Sequence, residues 1–369
     1  MIKKLKWITQ QVIAGANVAT ILMMLLIGFS GYLNPEKFPV LSSLGLLFPF
    51  FLFINLLFLV FWLVFVPRKA YIPILGFILA FSPIRKFIPL NVPREAPADA
   101  IKVMSYNVYL FAGRATPKGE VNDILQYIYD QNADIVCLQE SATYEVGQKM
   151  VDSVINARYE YRDTVRRRRT SCDVLSVYSH FPIIGHERIR IESASNIVAA
   201  FHLKINDDTV TVINAHLESV GLSMEDKSEF KDLVKGNLKA DSAETTSKKL
   251  IDKIGERSAI RAPQARAVAQ YISEHPGRSF IVCGDFNDGP LSYTHRIVSK
   301  GLTDCFVATG NGMGISYHNN AFFVRIDNIM CSKDWMPYNC HIDSKIGASD
   351  HYPIICWLKK RPNPLKINK

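Results

Sequence analysis

After residue 100, short apolar runs end one after another in polar side chains that can bind metal or move protons. Two carboxylates, Glu140 and Asp285, and two histidines, His216 and His351, stand at such ends. Loops at strand ends are where a rigid sheet presents active-site groups. The candidate site therefore comprises these strand-end residues: Asn107, Glu140, His216, Asp285, Asn287, Asp327, Asp350 and His351.

This donor set is rich in carboxylate and amide oxygens and contains no thiolate cluster. Hard oxygen ligands in that number suit Mg²⁺ or Mn²⁺ and not zinc. Phosphoryl transfer needs a cation to neutralise oxygens, a base for water and donors for the extra negative charge. Each residue alone also fits an ordinary turn, because Asp and Asn are common there. The combination predicts metal-dependent phosphoester chemistry.

The elements that must position these residues alternate between β-branched runs and amphipathic stretches. Val121, Ile124, Leu125 and Ile128 have helical spacing. The predicted strands are 101–108, 133–138, 175–178, 197–205, 209–215, 279–283, 326–330 and 354–358, and the predicted helices are 121–132 and 260–274. Such mixing indicates an α/β layered domain, a sheet sandwich with outer helices, over residues 101–358.

The first 90 residues have the composition of a transmembrane anchor. Segments 12–33 and 38–66 are each long enough to span ~30 Å of hydrocarbon. The shorter segment 70–87 contains Pro73 and Pro83 and fits either a third span or an interfacial helix. Residues 91–100 are rich in Pro and Ala and form the predicted linker, and 359–369 form a basic tail.

Basic residues indicate on which side of the membrane each loop lies. Lys3, Lys4 and Lys6 place the N-terminus in the cytoplasm, and Arg68 and Lys69 place the second loop there too. Three spans then put the catalytic domain on the extracytoplasmic side, which is our prediction. Basic residues at 85, 86 and 94 favour the opposite side by the same rule.

The formal charge of +9 suggests nucleic-acid binding at first sight. It divides into +7 over residues 1–98 and +5 over 359–369, which leaves −3 for 99–358. The basic excess therefore flanks the membrane segments and the tail, and it does not favour a duplex-DNA surface on the catalytic body. The seven cysteines are scattered without a CxxC, so neither a zinc site nor a disulfide framework is indicated.

The order of the motifs resembles that of the endonuclease/exonuclease/phosphatase superfamily, which includes deoxyribonuclease I, abasic-site endonucleases, neutral sphingomyelinases and inositol-polyphosphate 5-phosphatases. The matching residues are Asn107, Leu138-Gln139-Glu140, His216-Leu217, Gly284-Asp285-Phe286-Asn287, Arg325-Ile326-Asp327 and Ser349-Asp350-His351. The resemblance covers the whole soluble domain and none of residues 1–98. It implies a four-layer α/β/β/α sandwich, with Mg²⁺ or Mn²⁺ as cofactor.

The resemblance also implies a role for each residue. Glu140 resembles the principal metal carboxylate, with Asn107 beside it, and Asp350 resembles a metal or supporting carboxylate. Asp285 resembles the residue that orients or deprotonates the attacking water, which Asn287 helps to hold.

The other implied roles concern histidines. Asp327 resembles the partner that orients a histidine, and His351 then contacts the scissile phosphate, while His216 stabilises the pentavalent centre. How Asp285 and His351 divide the role of base stays open. Tyr109 departs from the abasic endonucleases, which carry an acid there, and so weakens a repair function.

Two further segments bear on the substrate. The basic run Arg166, Arg167, Arg168 and Arg169 is a candidate for binding an acidic headgroup or a polyphosphate, or else an exposed loop or a membrane contact. Residues 230–258 are polar and Lys-rich, and we predict an exposed, solvated helical insertion in preference to a gate over the site.

Three functions remain open from the sequence. The first is a membrane-anchored phosphodiesterase or phosphatase that acts on phospholipid headgroups or related phosphoesters. The second is a nuclease, which the acidic body does not favour. The third is a catalytically silent binding module, which the complete motif set disfavours. The expected partners are a phosphoester substrate and the lipid bilayer.

Overall fold

The computed structural model describes residues 1–117, 119–168, 172–193, 195–319 and 321–362 of the chain. Five α-helices form its N-terminal region. Their bounds are α1 Ile2–Gly28, α2 Pro39–Ser43, α3 Phe48–Phe65, α4 Tyr71–Leu79 and α5 Phe81–Phe87. Two stretches, Ile2–Tyr32 and Pro39–Phe65, are long and apolar enough to cross a membrane. A third crossing exists if Pro67–Leu79 and Phe81–Phe87, which are bent by 66°, count as one span.

The remainder of the described chain contains fourteen strands. They are β1 Ile101–Asn107, β2 Ile135–Gln139, β3 Tyr161–Arg166, β4 Val174–Ser179, β5 Ile183–Ile189, β6 Val198–Ile205, β7 Asp208–His216, β8 Ser279–Asp285, β9 Thr303–Asp304, β10 Tyr317–Asn319, β11 Phe322–Val324, β12 Asp327–Cys331, β13 Trp335–Ile342 and β14 Ile354–Lys360. The helices between them are α6 Asp123–Gln131, α7 Gln148–Asn156, α8 Met224–Val234, α9 Ala240–Ser273, α10 Tyr293–Val298 and α11 Cys305–Thr309.

Two six-stranded sheets stack face to face. One has the order β13-β14-β1-β2-β4-β3 and the other β5-β6-β7-β8-β12-β9, while β10 and β11 form a separate hairpin. Their inner faces share one apolar core, to which Val103 and Val177 contribute from the first sheet and Phe201 and Ile281 from the second. Alternate residues of each strand point outward, as the two-residue period of a strand requires.

Helices cover both outer faces. On the first sheet, α6 packs through residues such as Ile124 and Ile128, and α7 packs through Ile155. On the second sheet, α9 packs through Ala265 and Val268. The four-layer α/β/β/α sandwich that the sequence predicted is therefore confirmed.

The segment 230–258 is largely helical, as predicted, and residues 231–245 are exposed or half-buried, but the prediction of a solvated surface is wrong for Thr246, Leu250, Gly255 and Ser258, which are buried. It contains the end of α8 and the first half of α9, and α9 continues without a break into the predicted helix 260–274. Leu250 of α9 is buried, and a Cβ added at Gly255 would lie 2.9 Å from the backbone of Pro39 in α2. Helix α9 thus provides a surface on which the N-terminal helices pack.

This close contact yields a stability prediction. We expect Gly255→Ala to lower the midpoint of thermal unfolding by about 2–6 °C, because overpacking against backbone outweighs the helix propensity that Ala adds. The measurement is thermal unfolding of the full chain in detergent. Gly15→Ala in α1 is the matched control, since no atom lies within 4 Å of its added Cβ. An unchanged midpoint for Gly255→Ala would contradict the packing of α9 on α2.

Candidate active site

Strand ends from both sheets meet at one edge of the sandwich. Strands β7 and β8 run parallel with His216 opposite Asp285, and β12 runs antiparallel to β8 with Asp327 opposite Asp285. From the other sheet, buried Asn107 at the end of β1 donates from Nδ2 to Glu140 Oε1 at 3.2 Å and to Asp285 Oδ2 at 3.1 Å. One amide therefore connects the carboxylates of the two sheets.

Two of these residues adopt left-handed backbone conformations. Glu140 has a φ of 52° and Asn287 a φ of 51°. Positive φ is uncommon for residues other than Gly, and such strain concentrates at functional sites. The turn at Asn287 is held because its backbone N–H donates to Asp285 Oδ1 at 2.8 Å and its Nδ2 donates to the backbone oxygen of Leu217 at 3.0 Å. Asp285 is thereby fixed with its other carboxylate oxygen facing the cluster.

His351 and Asp327 form a buried pair. Nδ1 of His351 lies 2.8 Å from Asp327 Oδ2, and its Nε2 lies 3.7 Å from Asp285 Oδ2. Burial alone would lower the pKa of His351, but the charges of Asp327 and Asp285 outweigh it and raise the pKa to about 10. The ring is thus held as a cation whose Nε2 faces the cluster.

A second histidine is held in the same way by a residue that the sequence did not single out. Nδ1 of His216 lies 2.9 Å from Asp173 Oδ1, while Nε2 lies 3.7 Å from Glu140 Oε1 and 3.8 Å from Asp285 Oδ2. Burial opposes the charge on His216, but Asp173, Glu140 and Asp285 together raise its pKa to about 9. The position of Asp173 directly before β4 was the available signal.

Asp285 lies at the centre of this arrangement. Burial, with a further contribution from the charge of Asp327, raises the pKa of its carboxyl group to about 6 despite the neighbouring His351 and His216. A carboxylate with a pKa close to neutrality is suited to accept a proton from water.

The donor set fits a hard divalent cation. Ligand atoms of Asp285, Asp327 and His351 all lie within 4.8 Å of one another. Glu140 lies next to this group across Asn107, and within the described ranges its carboxylate has neither Lys nor Arg as an ion-pair partner. Concentrated carboxylate oxygens are the ligands that Mg²⁺ and Mn²⁺ prefer. The compact triad differs from the predicted metal set of Asn107, Glu140 and Asp350, so that set stays a prediction.

The cluster opens into a pocket of about 270 Å³ whose wall includes Glu140, Asp285, Asn287, Asp350 and His351. Asp350, whose role as a metal or supporting carboxylate stays a prediction, thus lines the same pocket as Glu140. The pocket is also lined by residues that the sequence did not predict to contact substrate, because only long-range packing brings them to the pocket. They are Tyr109, Lys227, Arg261, Asp288 and Tyr317.

Lys227 of α8 gives the pocket a basic side chain. Its Nζ donates to the hydroxyl of Tyr317 at 2.9 Å, and the Tyr317 ring packs edge-on against His351 at 5.0 Å. A lysine held over an anionic pocket can bind a phosphate oxygen. Helix α8 therefore contributes a basic side chain to the site.

We expect Lys227→Met to lower kcat/KM for a phosphoester by about tenfold, mainly through KM, because one charge-assisted hydrogen bond is lost. Steady-state kinetics of the variant and the unchanged protein measure kcat and KM. Lys231→Met, which removes an exposed lysine of the same helix outside the pocket, is the control. Equal kinetics for the two variants would exclude contact between Lys227 and substrate.

The described residues of the arginine run, Arg166, Arg167 and Arg168, do not line the catalytic pocket. Arg166 lines a different cavity, with Arg162 and Asp163, and Arg168 is exposed. The charge of Arg167 lowers the pKa of Asp173, although burial dominates and raises it. Arg169 lies outside the described residues. Binding of substrate by this run stays a prediction.

Known proteins resemble this fold. The catalytic domain of human nocturnin with a bound sulfate anion has a TM-score of 0.51 and 16% identity, covering 71% of this chain and 94% of that chain. An endonuclease/exonuclease/phosphatase protein from Beutenbergia cavernae has a TM-score of 0.51 and 15% identity, covering 71% and 72%. D. rerio TDP2, humanized by 14 mutations, has a TM-score of 0.50 and 16% identity, covering 71% and 99%. These identities show a shared fold alone.

Sequence models give the assignment. No curated protein matches the chain. A model described as a domain of unknown function matches residues 10–87, which form most of the anchor. The model of the Endonuclease/Exonuclease/phosphatase family matches residues 104–351, more than half of the chain and all of the strand ends that form the cluster. The chain belongs to this family, whose members are metal-dependent phosphoester hydrolases.

Proposed function

We propose that this protein is a membrane-anchored, Mg²⁺- or Mn²⁺-dependent phosphoesterase that acts on the phosphate of a lipid headgroup at the bilayer surface. The observation that carries the proposal is the position of Leu46. This residue lies in the short 3₁₀ turn Leu44–Leu47, directly before membrane helix α3, and it lines the same pocket as Asp285 and His351. The pocket therefore lies beside the point where the anchor enters the membrane.

Contacts between the anchor and the catalytic domain support this placement. Leu291 of the catalytic domain is buried in one apolar cluster with Met24 and Phe48 of the anchor. Arg266 of α9 forms an ion pair with Glu36 at 2.7 Å. Because several contacts hold the two parts together, the orientation of the pocket relative to the membrane is restricted.

The proposed mechanism is hydrolysis by a water molecule. Asp285 accepts a proton from the water, whose oxygen attacks phosphorus opposite the ester oxygen that leaves. Nε2 of His351 and Nε2 of His216 donate to phosphate oxygens, and His351 then protonates the leaving oxygen. Glu140, Asn107 and Asp350 are the residues proposed to hold the metal ion. A bound Mg²⁺ or Mn²⁺ supplies Lewis-acid neutralisation of the phosphate oxygens.

We expect removal of divalent cations to lower activity by about 10³-fold. The metal stabilises the charge of the phosphate in the transition state by several kcal/mol, and no other cation at the carboxylates replaces it. Activity is measured after chelation with EDTA and again after adding Mg²⁺, Mn²⁺ or Zn²⁺. Mg²⁺ or Mn²⁺ should restore it more fully than Zn²⁺. Full activity in EDTA would contradict the metal requirement.

The arrangement of the anchor supports an extracytoplasmic catalytic domain. At the end next to that domain, a Cβ added at Gly28 would lie 2.9 Å from the Phe48 ring and 3.0 Å from Pro83. At the opposite end, Lys69 donates to the backbone oxygen of Gln10 at 3.2 Å. We infer three crossings, with the lysine-rich N-terminus and the loop of Arg68 and Lys69 in the cytoplasm, away from the catalytic domain. The basic residues at 85, 86 and 94 then lie on the side of the catalytic domain, against the charge rule.

Fusion of reporters after Asn91 tests the sidedness. Alkaline-phosphatase activity in the fusion supports an extracytoplasmic domain, whereas fluorescence of a cytoplasmic reporter alone would reverse the assignment.

The substrate class is tested with the full chain and Mg²⁺ on a panel of sphingomyelin, phosphoinositides, plasmid DNA and bis-p-nitrophenyl phosphate. Cleavage of a phospholipid at its headgroup phosphate supports the proposal. Plasmid nicking without lipid cleavage would reject it and establish the second candidate, a nuclease.

A further inference from the structure

We propose that an apolar groove between the anchor and the catalytic domain binds an alkyl chain of the substrate while its phosphate occupies the catalytic pocket. This inference rests on the proposed function and specifies how the lipid is bound. The groove, which we call the anchor groove, has a volume of about 120 Å³. Its walls include Leu46 and Pro49 of the anchor together with Ile254, Leu291, Met313 and Phe323 of the catalytic domain.

The anchor groove is continuous with the catalytic pocket. Leu46, Ile254 and Val324 line both cavities, as do Asp288 and Gly289. A molecule can therefore extend from the phosphate-binding residues across these three apolar side chains into the groove. Such a molecule is polar at one end and apolar at the other.

The other end of the anchor groove faces the membrane helices. Ser42, Ser43 and Pro49 also line it, so its wall includes the beginning of α3, a stretch long and apolar enough to cross a membrane. An alkyl chain can thus leave the bilayer beside α3 without passing through water. Apolar walls recognise methylene groups by their removal from water, at up to about fourfold in affinity for each buried methylene.

Both walls of the groove are held in place. A Cβ added at Gly31 would lie 2.3 Å from the backbone oxygen of Leu291, and Arg296 Nε donates to the backbone oxygen of Gly31 at 2.8 Å. On the other side, Asn91 Nδ2 donates to the backbone oxygen of Gly310 at 2.5 Å, and an Arg325 guanidinium nitrogen donates to the backbone oxygen of Lys86. The groove is therefore preformed, which lowers the entropic cost of binding.

The test uses the full chain in lipid nanodiscs with Mg²⁺ and a dodecylphosphonate that carries a photoreactive diazirine at carbon 6. The phosphonate has no ester bond, so it binds without being cleaved. After irradiation, peptide mass spectrometry locates the label. We expect label on groove residues between 42 and 49 and between 313 and 325, displaced at least tenfold more effectively by dodecylphosphonate than by methylphosphonate.

A matched pair of variants makes the test specific. Leu46→Trp narrows the junction between the two cavities and should lower groove labelling at least fivefold relative to labelling of α1. Leu47→Trp changes the next residue of the same turn, which is similarly exposed (43% against 47%) and lines neither cavity, and should leave groove labelling within twofold. Thermal unfolding of both variants checks that they fold.

Label confined to the lipid-facing residues of α1 and α3, or equal groove labelling in Leu46→Trp and the unchanged protein, would overturn the inference. Failure of the proposed function gives a different result. Groove labelling in a protein that cleaves no phospholipid would reject the headgroup phosphoesterase and keep the groove, whereas phospholipid cleavage without groove labelling would reject only the groove.

Discussion

Asp285→Asn is expected to lower kcat by about 10³- to 10⁴-fold with a much smaller change in KM. The physical reason is that Asp285, whose pKa burial raises to about 6, is the carboxylate placed to accept a proton from the attacking water. An amide cannot accept that proton, although it has the same shape. The measurement is single-turnover and steady-state kinetics on bis-p-nitrophenyl phosphate or on the lipid identified in the panel.

Folding must be separated from chemistry in this variant. Asn in place of Asp285 removes one negative charge from a group that also contains Asp327, so the fold should be retained or slightly stabilised. Circular dichroism and the midpoint of thermal unfolding measure this. A folded Asp285→Asn protein with kcat within tenfold of the unchanged enzyme would assign the base to another residue, with His351 the next to test.

Asp327→Asn is the second prediction with a large effect. We expect kcat to fall by about 10²- to 10³-fold while KM stays within about threefold, because Asp327 orients the His351 ring and stabilises its charge without contacting substrate. The pKa of His351, which Asp327 raises against the effect of burial, should move down toward its ordinary value. Kinetics give the first result and NMR titration of the imidazole gives the second.

The chain contains a matched control for this variant. Asp163 Oδ2 lies 2.6 Å from Nδ1 of His186, so the two residues form a second Asp–His pair. Asp163 lines a separate cavity, and neither residue lines the catalytic pocket. Asp163→Asn should leave kcat within twofold. If Asp327→Asn and Asp163→Asn behaved alike, Asp327 would have a structural role only.

The sequence alone determined the chemistry of the donors and the class of fold. Strand ends are recognisable because apolar alternation stops at a polar residue, and this local pattern was sufficient to select Asn107, Glu140, Asp285 and His351 as candidates. Short strands without clear alternation, such as β9 and the hairpin of β10 and β11, were not predicted. The partner of β9 is β12, almost thirty residues further along the chain, whereas β10 and β11 pair with each other but are only three residues long, too short to show a repeating pattern.

The tertiary structure decided which other residues surround the cluster. Asp173 holds His216 across 43 positions of sequence, and Lys227 meets Tyr317 across 90. Periodicity within one segment cannot express such contacts, because they depend on how helices and sheets pack. The same holds for Leu46. In the sequence, Leu46 is only an apolar residue near a predicted membrane span. The packing of α2 on α9 brings it to the wall of the catalytic pocket.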